Sequence, residues 1–239
     1  MLTNAEKMEI IELAKEVILK YSDSYPAYMQ VKIDECPHIF FLGCVMDRQI
    51  PFDKAFNIPH IIAKQIGYRF DDFASKSENF YVNFFETRKL HRFNTTMAKC
   101  FYSAVQKIKY DYNSNAENIW NDHPSSIELI KRLKTFKGVG TGIANMILNT
   151  LQRRGFINTD KKGIDICPDR NTLRVLQRMG LLKKASQNEA IKIARDISPD
   201  YPGLLDKLFW ETGRVYCLDA IRKCNICKLE KYCIKVNQI

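Results

Sequence analysis

Four cysteines near the C-terminus, Cys217, Cys224, Cys227 and Cys233, stand in the spacing C-x6-C-x2-C-x5-C. A segment that short can fold its thiols around one centre, and thiolates select zinc or iron–sulfur clusters over hard cations. The competing arrangement, two disulfides, needs an oxidising compartment. The N-terminal segment MLTNAEKMEIIELAKEV is charged and amphipathic, with no uninterrupted apolar signal core. Metal binding inside the cell is therefore the expectation. The cysteines alone also admit zinc, because Cys224 and Cys227 form an ordinary C-x-x-C.

Charge extends the argument to a partner. The 37 Lys and Arg against 27 Asp and Glu leave +10, which suggests a polyanion. Arg153, Arg154, Lys161 and Lys162 collect at one point, and Arg222, Lys223, Lys228, Lys231 and Lys235 sit among the cysteines. Phosphate contacts there would position a duplex without reading its sequence, although a solvated basic surface accounts for the same charge. No apolar run approaches the roughly 20 residues of a membrane span, and length and composition agree with an intracellular, nucleic-acid-facing protein, in cytoplasm and nucleoid or nucleus. With 46% hydrophobic content over 239 residues, the chain can bury one sizeable core or two smaller ones.

The apolar pattern is helical almost throughout. Ile10, Ile11, Ala14, Val17 and Ile18 predict a first helix ending before Pro26. The run IFFLGCVM, residues 39–46, has no periodicity of its own; helix is the choice, because alternating strand partners are missing elsewhere. Further helices are expected near 53–66, 75–87, 95–108, 125–135, 141–153, 170–179, 187–197 and 201–216. The stretch 155–168, with Gly155, Gly163 and Pro168, is expected to connect two lobes.

Two further motifs carry chemistry. In LKTFKGVGTGIANMIL, residues 133–148, a helix ends at Phe136, Gly138-Val139-Gly140 turns, and a second helix begins near Thr141. Such a turn exposes backbone N–H groups that suit a phosphate oxygen, although alone it is more often only an αα-corner. Some thirty residues later Asp169 opens a helix carrying Arg174, Val175, Arg178 and Leu181. An Asp there is an N-cap as readily as a catalytic acid.

Together the hairpin KGVGTGIAN, the loop ending at Asp169 and the cysteine spacing resemble the helix-hairpin-helix DNA glycosylases of the endonuclease III superfamily, in order and over most of the chain. The resemblance implies an all-α, two-lobed fold. One lobe, residues 30–154, would be a six-helix barrel with the hairpin; the other, residues 1–29 and 155–239, would hold a [4Fe-4S] cluster on Cys217, Cys224, Cys227 and Cys233. It implies Asp169 as the catalytic carboxylate, and Gly138, Val139, Gly140 and Gly142 as contacts to DNA backbone. Gln49 would fill the gap left by an extruded base, with the nucleotide held between the Gln49 and Gly142 region and Asp169. The implied partner is double-stranded DNA with a damaged or mismatched base, bound by a monomer, and the implied reaction is cleavage of the N-glycosidic bond.

The departures bear on mechanism. Bifunctional members attack the sugar carbon with a Lys on the second hairpin helix, and that position here is Gly142, which supplies no amine. A monofunctional enzyme is expected, its AP lyase activity in doubt; a bifunctional one would need another lysine, with Lys137, Lys161 and Lys162 the first candidates. The adenine-removing branch has a Glu where Cys44 stands and carries a further C-terminal recognition domain, whereas this sequence ends six residues after Cys233, so neither oxidised-pyrimidine lyase nor adenine glycosylase is the expectation. Asp47 is an unusual acid in an apolar setting, and it and Cys167 are candidates for the pocket. The alternative reading is a catalytically inactive lesion- or structure-specific DNA binder, which would have no need of Asp169.

Other residues are expected to be structural. His38, His60, His91 and His123 lack paired metal spacing, and Cys36, Cys44, Cys100 and Cys167 read as small hydrophobes. Phe80, Tyr81, Phe84, Phe85 and Trp210 read as core.

Overall fold

A computed structural model describes residues 2–21 and 33–234, Tyr21 by its backbone alone. Pro26, Lys235 and the lobe boundary expected at 29/30 lie outside the described residues. The helices are α1 Asn4–Tyr21, α2 Pro37–Met46, α3 Phe52–Ile66, α4 Phe70–Ala74, α5 Glu78–Arg88, α6 Asn94–Asp111, α7 Ser126–Leu133, α8 Thr141–Arg153, α9 Arg170–Arg178, α10 Gln187–Ile197 and α11 Asp206–Glu211. Among the described residues the only β feature is an isolated bridge between Cys217 and Arg222, so the all-α reading holds. The chain divides into two compact units, Tyr25–Thr159 and Met1–Ser24 with Asp160–Ile239.

The continuous unit is organised around α2. All of its residues from His38 to Met46 are buried, which explains why IFFLGCVM shows no period: every face meets protein. It packs on α3, α6, α8 and the 3-10 turn Ala116–Ile119. Gly43 lets α3 approach, since a Cβ there would stand 3.1 Å from Phe56 Cδ1. The helix expected at 75–87 begins three residues later, as α5 at Glu78, because Ser77 caps it by accepting the Phe80 amide at 3.2 Å. On α5, Tyr81 and Phe85 enter the core beside Phe101, whereas Phe80 and Phe84 stack on each other at the surface under Lys76 and Arg88.

In the discontinuous unit α1 packs on α10 and α11. Thr3 and Glu6 start α1 as a capping box: the Glu6 amide donates to Thr3 Oγ1, and the Thr3 amide to Glu6 Oε2. Ile10 and Ala14 of α1 then share a core with Val175, Leu176, Ala190, Ala194, Leu208 and Phe209, and Cys217, Cys227 and Cys233 pack against its edge. Full burial of each aliphatic side chain contributes about 1.5–3 kcal/mol. The helix expected at 201–216 is broken into a 3-10 turn Pro202–Leu205, α11, and a π-helical turn Thr212–Tyr216 that delivers the chain to Cys217. Trp210 is not core: it lies half-buried between Lys207 and Arg214, 4.4 and 4.5 Å from its ring centre.

Candidate functional site

The hairpin joins α7 to α8. After Leu133 the amides of Lys134, Thr135 and Phe136 fold back on the carbonyls of Ile130, Arg132 and Leu133, so the α-helix ends three residues before Phe136. Phe136 is buried edge-on to Phe41, ring centres 4.6 Å apart, and pins the turn to α2. Gly138 has φ +91°, and a Cβ there would lie 3.1 Å from Cys100 Sγ; both demand glycine. Val139 is buried. Gly140 is the exposed N-cap of α8, with no side chain capping the helix and open space where a Cβ would be. The first amides of α8 therefore carry their partial positive charge towards the surface. Gly142, the second residue of α8, is half-buried.

Gln49 follows the end of α2. The Asp47 amide donates to Cys44 O at 3.1 Å and the Arg48 amide to Met46 O at 2.8 Å, a tight turn that leaves Gln49 exposed at φ +57°. Asp47 is half-buried at the C-cap, past the helix. Burial, and then the charge of Asp47, push the Cys44 thiol well up. Burial also raises the Cys100 thiol, against which the cations of Lys137 and Arg48 pull. The hairpin turn and the Gln49 loop thus flank one buried cysteine of α6, each bringing a basic side chain.

In the other unit, Asp169 is the N-cap of α9. Its Oδ1 accepts the Thr172 amide and its Oδ2 the Asn171 side-chain amide, both at 2.8 Å. Each carboxylate oxygen keeps a further lone pair. The loop before it is fixed by the Cys167 amide donating to Asp206 Oδ1 at 2.6 Å and by Gln187 Nε2 donating to Pro168 O at 3.0 Å. The other end of Asn171 accepts from Arg174 Nη2 at 2.8 Å, and Arg174 in turn donates to Cys217 O and Gly213 O, each at 2.6 Å. Gly213 comes so close that a Cβ on it would be 2.7 Å from Asn171 Cβ and Asn171 O.

That chain of contacts leads to the cysteines. Cys217, Cys224, Cys227 and Cys233 line a cavity of about 290 Å³ together with Val175, Arg178 and other residues. Arg178 Nη1 donates to Cys217 Sγ at 3.1 Å and to Leu218 O at 2.8 Å. Burial and the neighbouring cysteines push the Cys227 thiol up and the Cys233 thiol to about 12, so a cationic centre would be needed to hold these two as thiolates. Among the described residues no three His, Cys, Asp or Glu side chains close on a point that one metal ion could occupy.

The basic residues among the cysteines divide by role. Lys228 pairs with Glu16 and Lys231 with Glu9, both on α1, and Tyr232 Oη also donates to Glu9. These two lysines tie the cysteine loop to the first helix. Arg222 and Lys223 are exposed. Lys161 lies over the Tyr201 ring, and Lys162 pairs with Asp200 at 3.3 Å.

No protein-family model and no curated protein matches the sequence. Solved structures do. A trapped endonuclease III–DNA covalent intermediate, an estranged-adenine complex, aligns over 100% of this chain and 99% of its own at 17% identity and TM-score 0.65. A non-covalent endonuclease III–DNA complex aligns over 100% and 98% at 17% identity and TM-score 0.68, and a thermostable thymine-DNA glycosylase over 99% of each chain at 13% identity and TM-score 0.69. The chain has the endonuclease III fold. The hairpin, Gln49, Asp169 and the cysteines stand out in the sequence as candidates, whereas Asn171, Gly213 and the acids of α1 do not. The Asn171–Arg174 pair had a sequence signal, an i,i+3 spacing on one face of α9; Gly213 and the α1 acids had none. His38 and His91 are buried and His123 exposed, and among the described residues no helix is long and apolar enough to cross a membrane.

Proposed function

We propose that this chain is a base-excision DNA glycosylase that releases a damaged or mismatched base by attack of water. The observation that carries the reading is the pairing of a built carboxylate with an absent amine: Asp169 is held by Thr172 and Asn171, while Gly142 occupies the hairpin-helix position of the nucleophilic lysine. A base within a duplex is out of reach of any side chain, so the nucleotide must be rotated out and its gap filled, here by Gln49. The hairpin amides at Gly138–Gly142 and the cations Lys137 and Arg48 hold the backbone. As the C1′–N bond breaks, its electron pair leaves with the base and positive charge builds on the sugar. The Asp169 carboxylate stabilises that charge and takes the proton of the water whose oxygen bonds to C1′. The strand stays intact.

The four cysteines fit a [4Fe-4S] cluster, with soft donors, a cavity broader than an ion and a guanidinium facing one sulfur. When bound, the cluster supplies four iron–sulfur bonds that staple residues 217–233. Arg174 and Arg178 hold the Cys217 end of that loop to the helix that Asp169 caps. The protein is tested against duplexes carrying uracil, thymine opposite guanine, oxidised pyrimidines, 8-oxoguanine or alkylated purines, scoring free base and strand breaks separately. Base release that Asp169→Asn abolishes is the expected result; binding without release on every duplex would favour the inactive lesion binder.

A further inference from the structure

His91 is one of the most deeply buried polar side chains in its unit, 2% exposed, and its ring bridges two turns. Nδ1 accepts the Phe93 amide at 3.0 Å, so this nitrogen carries no proton. Nε2 therefore carries it and donates to Met46 O at 3.2 Å. That carbonyl also accepts the Arg48 amide at 2.8 Å, one residue before Gln49. The turn bearing Gln49 is thus fastened at its root to the start of α6, where the His91 amide donates to Asn94 Oδ1 at 2.8 Å. Gln49 itself is exposed, in a left-handed conformation uncommon for a residue with a side chain, and such conformations persist only where the surroundings hold them.

We propose that His91 is the positioning residue for Gln49: its neutral ring holds the 46–49 turn in the conformation that enters the gap, and so sets the preference for a gapped duplex over an intact one. The inference rests on the gap-filling role given to Gln49 above. A doubly protonated ring would put an N–H against the Phe93 N–H and break the bridge. Burial already pushes the imidazole pKa down, as do the cations facing it, Lys54 on α3 and Arg48 on the turn. The hold is complete above the ordinary imidazole value of about 6.5 and is lost as pH falls through the depressed value.

The test measures the affinity of the whole protein for two duplexes of one sequence, one intact and one carrying a tetrahydrofuran abasic analogue, which presents a gap without requiring the true substrate. Gln49→Ala and His91→Ala should each cut the preference for the gapped duplex by about tenfold, with intact-duplex affinity within about twofold and the double variant no worse than either single one. His91→Gln, which keeps an N–H for Met46 O, should recover part of the preference. It should also remove the wild type's loss of preference as pH falls below the ordinary imidazole value of about 6.5. If Gln49→Ala leaves the preference intact, the gap-filling role falls and this inference with it. If Gln49→Ala lowers it but His91→Ala does not, or the two losses add, the inference alone is overturned. Should His91→Ala not fold, the pH profile of wild type against His91→Gln decides, and identical profiles overturn it.

Discussion

Asn171 donates its side-chain amide to Asp169 Oδ2 at 2.8 Å, so the candidate catalytic carboxylate is aimed by the second residue of the helix it caps. The two jobs of Asp169 can be separated. Asp169→Asn keeps an N-cap but loses the charge, and should lower single-turnover base release by roughly a hundred- to a thousandfold while DNA affinity and the melting temperature hold. Asp169→Ala should in addition cost about 1 kcal/mol of stability. Asn171→Ala, which frees one oxygen, is expected to slow release about tenfold. Base release by Asp169→Asn at the wild-type rate would remove Asp169 from the chemistry.

Gly142 makes a second expectation sharp. Without an amine at that position the wild type should leave an abasic site in an unbroken strand until alkali is added, and borohydride should trap little protein on DNA. Gly142→Lys, at the half-buried second residue of α8, should introduce trapping and strand cleavage. Efficient trapping of the wild type would refute water attack and direct the search to Lys137, Lys161 and Lys162.

The cysteine cavity predicts a yellow-brown protein with about four irons per chain after aerobic purification. Cys217→Ser should lower iron content and DNA affinity together. Arg178→Ala should leave iron binding largely in place but make the centre easier to oxidise and lose in air, because the N–H···S contact to Cys217 is gone. Stoichiometric zinc in a colourless protein would overturn the assignment.

Gly213→Ala tests the contact between the π-helical turn and α9. Its new methyl would stand 2.7 Å from the Asn171 backbone oxygen, which cannot swing aside as a side chain would. A loss of about 1–3 kcal/mol in denaturant unfolding is expected, with base release reduced further because Asn171 is displaced. Unchanged stability would mean that the turn shifts freely.

The elements that sequence revealed best are those whose pattern is local. Helices over 141–153 and 187–197 carry their own period, the second also its Ser186 cap, and both have those bounds in the structure. The motif residues stood out because glycine at φ +91° or cysteines at fixed spacing leave few alternatives. What escaped was long-range. No window of sequence joins Arg174 to Gly213, or His91 to Met46, because those bonds depend on how distant helices pack. The late start of the helix expected at 75–87 escaped for another reason: Ser77 competes for a backbone amide, and apolar spacing is blind to that competition.

The ion pairs Lys228–Glu16 and Lys231–Glu9 join residues 212 and 222 positions apart. On a ribosome adding about 5–20 residues per second, the α1 acids would be made some 10–40 s before the lysines that hold them. The intervening unit, continuous in sequence, can finish folding in that interval. The first helix made would thus be among the last to dock, and any chaperone or N-terminal fusion that occupies it would delay closure of the cysteine loop, not of the hairpin.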